Sequence, residues 1–188
     1  MSNISSELRE RRVGALLPAA LESLRPYQWL KNALVFVPLA AAHRLGEPQL
    51  LLRALQAFVA FSLCASAVYL LNDLRDAPAD RMHPHKRLRP IASGRLPRSV
   101  ALLLAAVLLA VTIAAAWPLG ASASAAIAAY LALMIAYTLG LKAIVLLDAL
   151  ILAGGYALRV LGGGLAVAII PSARLLAFCI FLFFSLAL

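Results

Sequence analysis

A chain of 188 residues, 64% hydrophobic and only 13% charged, with a mean hydropathy of +0.93, lies far above the ~45–50% apolar usage of soluble domains. That excludes a soluble enzyme carrying a single anchor and predicts an all-α fold, a polytopic transmembrane helix bundle in the lipid bilayer. The net charge of +9 calls for no nucleic acid partner, because most of the basic residues follow from membrane topology and from one polar cluster.

Residues 1–26 read as a lead-in. Arg9, Arg11 and Arg12 precede a stretch that Pro18, Glu22 and Arg25 interrupt, so it lacks the apolar core of a signal peptide. Within it, residues 13–24 put Leu16, Leu17, Leu21 and Leu24 on one side of a short amphipathic helix suited to the membrane interface. Residues 27–188 read as one transmembrane domain. Spans of about 20 apolar residues are predicted near 27–43, 50–72, 97–116, 121–139, 147–168 and 171–188. The last runs apolar to Leu188 without a cap or flanking cation, so the expectation is a chain that stops within a helix, the N-terminal part of a longer bundle. Cys64 and Cys179 fall inside apolar runs and read as small buried hydrophobes.

Lys and Arg set the orientation. With a cytoplasmic N-terminus, the inner segments hold Arg9, Arg11, Arg12, Arg25, Lys31, Arg75, Arg81, Lys86, Arg87, Arg89, Arg95, Arg98 and Lys142, while the outer side holds Arg44, Arg53 and Arg174. This asymmetry predicts a multi-pass membrane protein with both charged connections, 73–96 and 140–147, facing the cytoplasm. Arg159 is left inside the fifth span, where a cation is costly unless it faces a polar cavity or a ligand.

Chemistry concentrates between Asn72 and Gly94. Asp73, Asp76 and Asp80 are three of only eight acidic residues, and their crowding is unfavourable without a compensating cation, for which Mg2+ is the natural choice. On a helix continuing from the second span, Asn72, Asp76 and Asp80 recur at i, i+4 and i+8 with Asp73 beside them. Such a face offers metal-binding oxygens from Asn72, Asp73, Asp76 and Asp80. Mg2+ binds through one or two carboxylates plus substrate phosphates and keeps several waters, so the pattern suits a metal-held diphosphate. Pro78 predicts a kink between Asp76 and Asp80. The cations Lys86, Arg87 and Arg89 can grip phosphate. A plain cytoplasmic loop accounts for the arginines but not for the acids. His83 and His85 flank Pro84 and read as a polar turn rather than a zinc site.

Three further groups return to the same face. Lys31 and Asn32 are polar at the mouth of the first span, where a snorkelling lysine is the plain alternative and Tyr27 and Trp29 can serve as interfacial anchors. Tyr137, Lys142 and Asp148 bracket the second cytoplasmic connection. Arg159 follows three turns along the fifth span, among glycines 154, 155, 162, 163 and 164 that permit close helix packing.

The N-D-L-R-D-x-x-x-D stretch from Asn72, followed by H-P-x-K-R-x-R-P-I-A-S-G, resembles the aspartate-rich motif of the UbiA superfamily of intramembrane prenyltransferases. R-P-x-Q-W-x-K-N from Arg25 and Y-x-L-x-L-K-x-x-x-x-x-D from Tyr137 look most like its decaprenyl-phosphate phosphoribosyltransferase branch. The resemblance spans Leu24 to about Leu188. It implies a bundle of nine helices, about six of them present, that transfers 5-phosphoribose from phosphoribosyl diphosphate to a polyprenyl phosphate with Mg2+ as cofactor, a step toward lipid-linked pentoses for cell-wall polymers. Carried over by position, Asp73, Asp76, Asp80, Lys142 and Asp148 are the catalytic candidates, with Asn72 and the three aspartates on metal. Lys31, Asn32, Lys86, Arg87, Arg89, Tyr137 and Arg159 are the substrate-binding candidates. Family members that act on aromatic rings commonly carry a second D-x-x-x-D, whereas Leu152 stands four positions after Asp148. An aromatic prenyltransferase, a transporter of a lipid-linked anion and an inactive fragment are the alternative readings.

Overall fold

The computed structural model describes residues 16–141 and 145–187; the predicted site residue Lys142, and Arg9, Arg11 and Arg12, lie outside them. Among the described residues the fold is all helical. A short helix α1 (16–24) leads into a 3-10 segment, Pro26–Phe36, and α2 (Val37–Ala41). Then come α3 (Pro48–Met82), α4 (Arg98–Ala116), α5 (Ala121–Leu139), α6 (Val145–Ala166) and α7 (Ala173–Ala187). Four helices, Pro48–Met82, Arg98–Leu119, Ala121–Leu139 and Leu146–Ala166, are long and apolar enough to cross a membrane, and Ala173–Leu186 is a shorter apolar helix. The chain is an integral membrane protein built as a polytopic helical bundle.

The first predicted span takes an unexpected form. A 3-10 run rarely exceeds three or four residues, yet here it lasts 11. Its side chains explain this: Asn32, Val35 and Pro38 are all buried, and Trp29, three residues earlier, donates from Nε1 to Ser66 Oγ at 3.0 Å. Only a helix of three residues per turn keeps positions 29, 32, 35 and 38 on one face. Asn32 Nδ2 donates to Ser62 Oγ at 3.0 Å, so the stripe climbs α3 one turn at a time. Trp29 is therefore tied to α3 rather than serving as an interfacial anchor. With a 2 Å rise per residue, this segment and α2 together measure roughly 30 Å, the thickness of the hydrocarbon layer.

Helix α3 continues ten residues beyond the predicted end of its span and remains helical through Pro78. Proline removes the N–H that would bond the carbonyl four residues back. That carbonyl belongs to Leu74, and Arg98 Nη2 reaches it at 3.4 Å from the start of α4. The lost backbone bond is thus replaced from a neighbouring helix.

The lead-in also differs from its predicted orientation. Leu17 and Leu21 are exposed, whereas Leu16, Ala19 and Leu24 pack against Ala67 and Leu70 of α3 and Ala101 and Ala105 of α4. Small residues at this junction let the helices approach closely. A second core joins Val35, Phe61 of α3, Tyr130 and Met134 of α5, and Ile151 of α6. Cys64 and Cys179 are free and buried, as expected.

At the end of the bundle away from the acidic motif, Arg53 ties three elements together. Its Nε donates to the carbonyl of Ala166, the last residue of α6, at 2.6 Å, and its Nη2 to that of Leu119 in the α4–α5 turn at 3.0 Å. Helix C-termini leave such carbonyls without intrahelical partners. Arg53→Leu should therefore destabilise the bundle by about 2 kcal/mol, read as a lower midpoint of thermal unfolding in detergent.

Candidate active site

The C-terminal halves of α3 and α5, the middle of α6 and the 3-10 segment meet around a cavity of about 240 Å3. Its polar wall holds Arg25, Lys31, Asn72, Tyr137 and Arg159, and its aromatic wall Tyr69, Tyr130 and Tyr156. A second cavity of about 340 Å3 lies beside it, lined by Glu22, Arg25, Tyr27, Asp73 and Arg89. Arg25 lines both and so forms the partition between them. Its backbone adopts the left-handed conformation at φ 51°, which costs a non-glycine residue about 1 kcal/mol.

The oxygens of the acidic motif divide between two surroundings. Asp73 and Asp80 are buried, at 2% and 4% exposure, and held by arginines. Arg25 Nη2 donates to both Asp73 oxygens at 2.6 and 2.9 Å. Arg89 Nη1 reaches Asp73 at 3.3 Å and Asp80 at 2.8 Å. The cation that relieves the crowding of these two acids is therefore arginine, supplied by the sequence itself. Asn72 instead lines the first cavity, and its buried Oδ1 has no hydrogen-bond partner. Asp76 is half-buried and within electrostatic reach of the Tyr137 hydroxyl, which is hydrogen-bonded to Asp148 from the first turn of α6. Asp148 Oδ1 is likewise buried without a partner. Among the described residues no three acidic, histidine or cysteine side chains converge as a metal cage. Orphaned oxygens without soft ligands nevertheless form a hard donor set, which fits Mg2+ held by one or two carboxylates together with a substrate's phosphates.

Arg159 is buried at 6% exposure. It donates from Nε to Asn32 Oδ1 at 2.6 Å, from Nη1 to the Gly155 carbonyl at 2.8 Å and from Nη2 to the Tyr130 hydroxyl at 2.8 Å. Its guanidinium lies 4.6 Å from the Tyr130 ring centre and 5.3 Å from that of Tyr156. No carboxylate pairs with it among the described residues. Lys31 lines the same cavity, while Asn32, fully buried, is committed to Arg159 and Ser62. Lys86 and Arg87 are exposed on the short 3-10 turn Lys86–Leu88, apart from both cavities. That turn is capped by His83, whose Nδ1 accepts from the backbone N–H of His85 and Lys86. Arg81 and Arg95 brace the connection through the carbonyls of Ala92 and Leu88. Sequence reasoning missed Arg25 as a cavity residue and the tyrosines 69, 130 and 156. Arg25 had a usable signal in its place beside Pro26 at a span mouth, but a tyrosine inside an apolar run has none.

A polar, cation-rich cavity lined by transmembrane helices defines a bundle built around a site rather than a simple anchor. The chain belongs to the UbiA prenyltransferase family, which matches residues 33–188. A decaprenyl-phosphate phosphoribosyltransferase of Mycobacterium tuberculosis is 42% identical over 155 residues, covering 80% of this chain and 51% of the relative. The nodulation protein NoeC of Azorhizobium caulinodans is 39% identical over 166 residues, covering 88% of this chain and 54% of its own. The chain thus spans about half the length of the curated relatives it matches. A UbiA homologue from Archaeoglobus fulgidus, solved with GPP and Mg2+, superposes with a TM-score of 0.75 at 21% identity, over 89% of this chain and 60% of that one. That likeness is one of fold.

Proposed function

We propose that the protein transfers 5-phosphoribose from phosphoribosyl diphosphate to a polyprenyl phosphate such as decaprenyl phosphate, with Mg2+, at the cytoplasmic face of a bacterial inner membrane. The observation that carries this reading is one cavity that sets the orphaned oxygen of Asn72 among the cations Arg25, Lys31 and Arg159, with Asp148 hydrogen-bonded to Tyr137 of its wall. Two separate phosphate groups need more positive charge than one metal-held diphosphate does. The 42% identity to a relative named for this reaction supports the same substrates.

In the proposed reaction a phosphate oxygen of the lipid attacks the anomeric carbon of the ribose. The bond from that carbon to the diphosphate breaks, and the electron pair leaves with the diphosphate. The acceptor is already anionic, so no general base is required. Asn72, Asp76 and Asp148 would hold Mg2+, which when bound neutralises charge on the leaving diphosphate. Asp73 and Asp80 orient Arg25 and Arg89 toward the phosphates. Lys86 and Arg87 draw polyanions to the mouth from solvent, and Lys142 contributes a further cation from the second connection.

The tyrosine wall favours a second reading, an aromatic prenyltransferase, because Tyr69, Tyr130 and Tyr156 can stack a ring or stabilise an allylic cation. Membranes from a heterologous host expressing the protein separate the two. Supplied with Mg2+, phosphoribosyl diphosphate and polyprenyl phosphate, they should form a phosphoribosylated lipid and release diphosphate. Product only from prenyl diphosphate plus hydroxybenzoate would overturn the first reading in favour of the second.

A further inference from the structure

Asn32 was a natural candidate for touching substrate, yet its side chain is spent on the protein. Oδ1 accepts from Arg159 Nε and Nδ2 donates to Ser62 Oγ, while Ser62 itself is buried at 1% exposure. A guanidinium carries five N–H donors. Three of those on Arg159 are taken, by Asn32, the Gly155 carbonyl and the Tyr130 hydroxyl. One donor is left on each terminal nitrogen, forming the two-pronged edge that matches a phosphate or carboxylate. All three anchors are neutral. They fix the plane of the guanidinium without quenching its charge, and the rings of Tyr130 and Tyr156 add cation–π attraction without adding negative charge.

We propose that Asn32 is a positioning residue that holds Arg159 oriented and uncompensated, so that its outer edge forms a phosphomonoester subsite in the cavity that Arg159 lines, apart from the oxygens at Asn72 and Asp76. The inference rests on the transferase reading above and deepens it. Two phosphomonoesters share this chemistry, the 5-phosphate of the sugar donor and the phosphate of the lipid acceptor. An amide is required at position 32 because a carboxylate there would make the same hydrogen bond to Nε and cancel the charge. A purely structural role predicts the opposite, since a buried Asp–Arg pair would hold the two elements together at least as well.

Asn32→Asp decides between them. The detergent-purified protein is titrated calorimetrically with ribose 5-phosphate, with farnesyl phosphate and with Mg2+ plus diphosphate, and its thermal unfolding is recorded. The expected result is an unchanged or higher midpoint, unchanged affinity for Mg2+–diphosphate, and a loss of roughly tenfold to a hundredfold for one phosphomonoester. The monoester that responds identifies the source of the phosphate. Wild-type affinity of Asn32→Asp for both monoesters would overturn the proposal, as would failure of the wild-type protein to bind either. Should Asn32→Asp not fold, Arg159→Lys, which keeps the charge but not the fork, should show the same selective loss, and wild-type affinity there would equally overturn it. Monoester binding that behaves as expected in membranes that form no phosphoribosylated lipid would instead count against the proposed reaction alone.

Discussion

Asp76→Asn should abolish transfer, lowering turnover by about a thousandfold or more even at saturating Mg2+, while the protein stays folded. The asparagine keeps the shape of the side chain and one acceptor oxygen but removes the charge that a metal-held diphosphate requires. Asp73→Ala makes the informative contrast. Asp73 is engaged by Arg25 at 2.6 Å and by Arg89 at 3.3 Å, so removing it leaves Arg25 without a carboxylate at the partition between the cavities and Arg89 with Asp80 alone. Both arginine side chains keep some access to water, at 18% and 27% exposure. The penalty should therefore be about 2 kcal/mol, below that of breaking a fully buried pair. Loss of activity in Asp73→Ala will then mix instability with chemistry, and the thermal midpoint of each variant separates the two. Steady-state turnover across a Mg2+ titration, read beside thermal unfolding, checks both. Wild-type turnover in Asp76→Asn would sink the assignment of Asp76 to the metal.

What the sequence could and could not convey follows from the range of the forces involved. Helices α4 and α5 were legible to within a residue or two, because each is a continuous apolar run bounded by local punctuation at Pro97, Gly120 and Gly140. The passage of α3 through Pro78 was not, since the arginine that answers the Leu74 carbonyl sits 24 positions away. The 3-10 segment lies between these cases. Its stripe at 29, 32, 35 and 38 is visible in the sequence, but a three-residue period is seldom sought in an apolar segment. In the candidate site the acids stood out because carboxylates are scarce in this chain. That Asp73 is held by an arginine depends on Arg25, which is 48 positions from it. Asn32 shows the limit most clearly: a polar residue in a span must be satisfied by something, and residue type alone does not distinguish a substrate from a serine on the next helix.

The contact that brings the 3-10 segment onto α6 is also its most vulnerable point. Gly163 faces the backbone of Val35 so closely that an added Cβ would overlap the Val35 carbonyl. Backbone cannot rotate aside as a side chain can, so Gly163→Ala must push the whole Pro26–Phe36 segment away from α6. The neighbouring Gly162 has little room to absorb the shift, because a Cβ there would lie 2.7 Å from the Phe61 ring. Overpacking of this kind should cost about 3 kcal/mol. The same displacement would draw Asn32 away from Arg159, so any folded Gly163→Ala protein should also bind the phosphomonoester more weakly. Gly154→Ala is the matched control: its added methyl would meet only Leu133 Cδ2, at an ordinary 3.5 Å. Replacing a mid-helix glycine by alanine without a clash should be neutral or stabilising by up to about 1 kcal/mol. Thermal midpoints of the two variants in the same detergent test the argument, and a Gly163→Ala protein that melts with the wild type would show that the close approach of these backbones is not what fixes the segment.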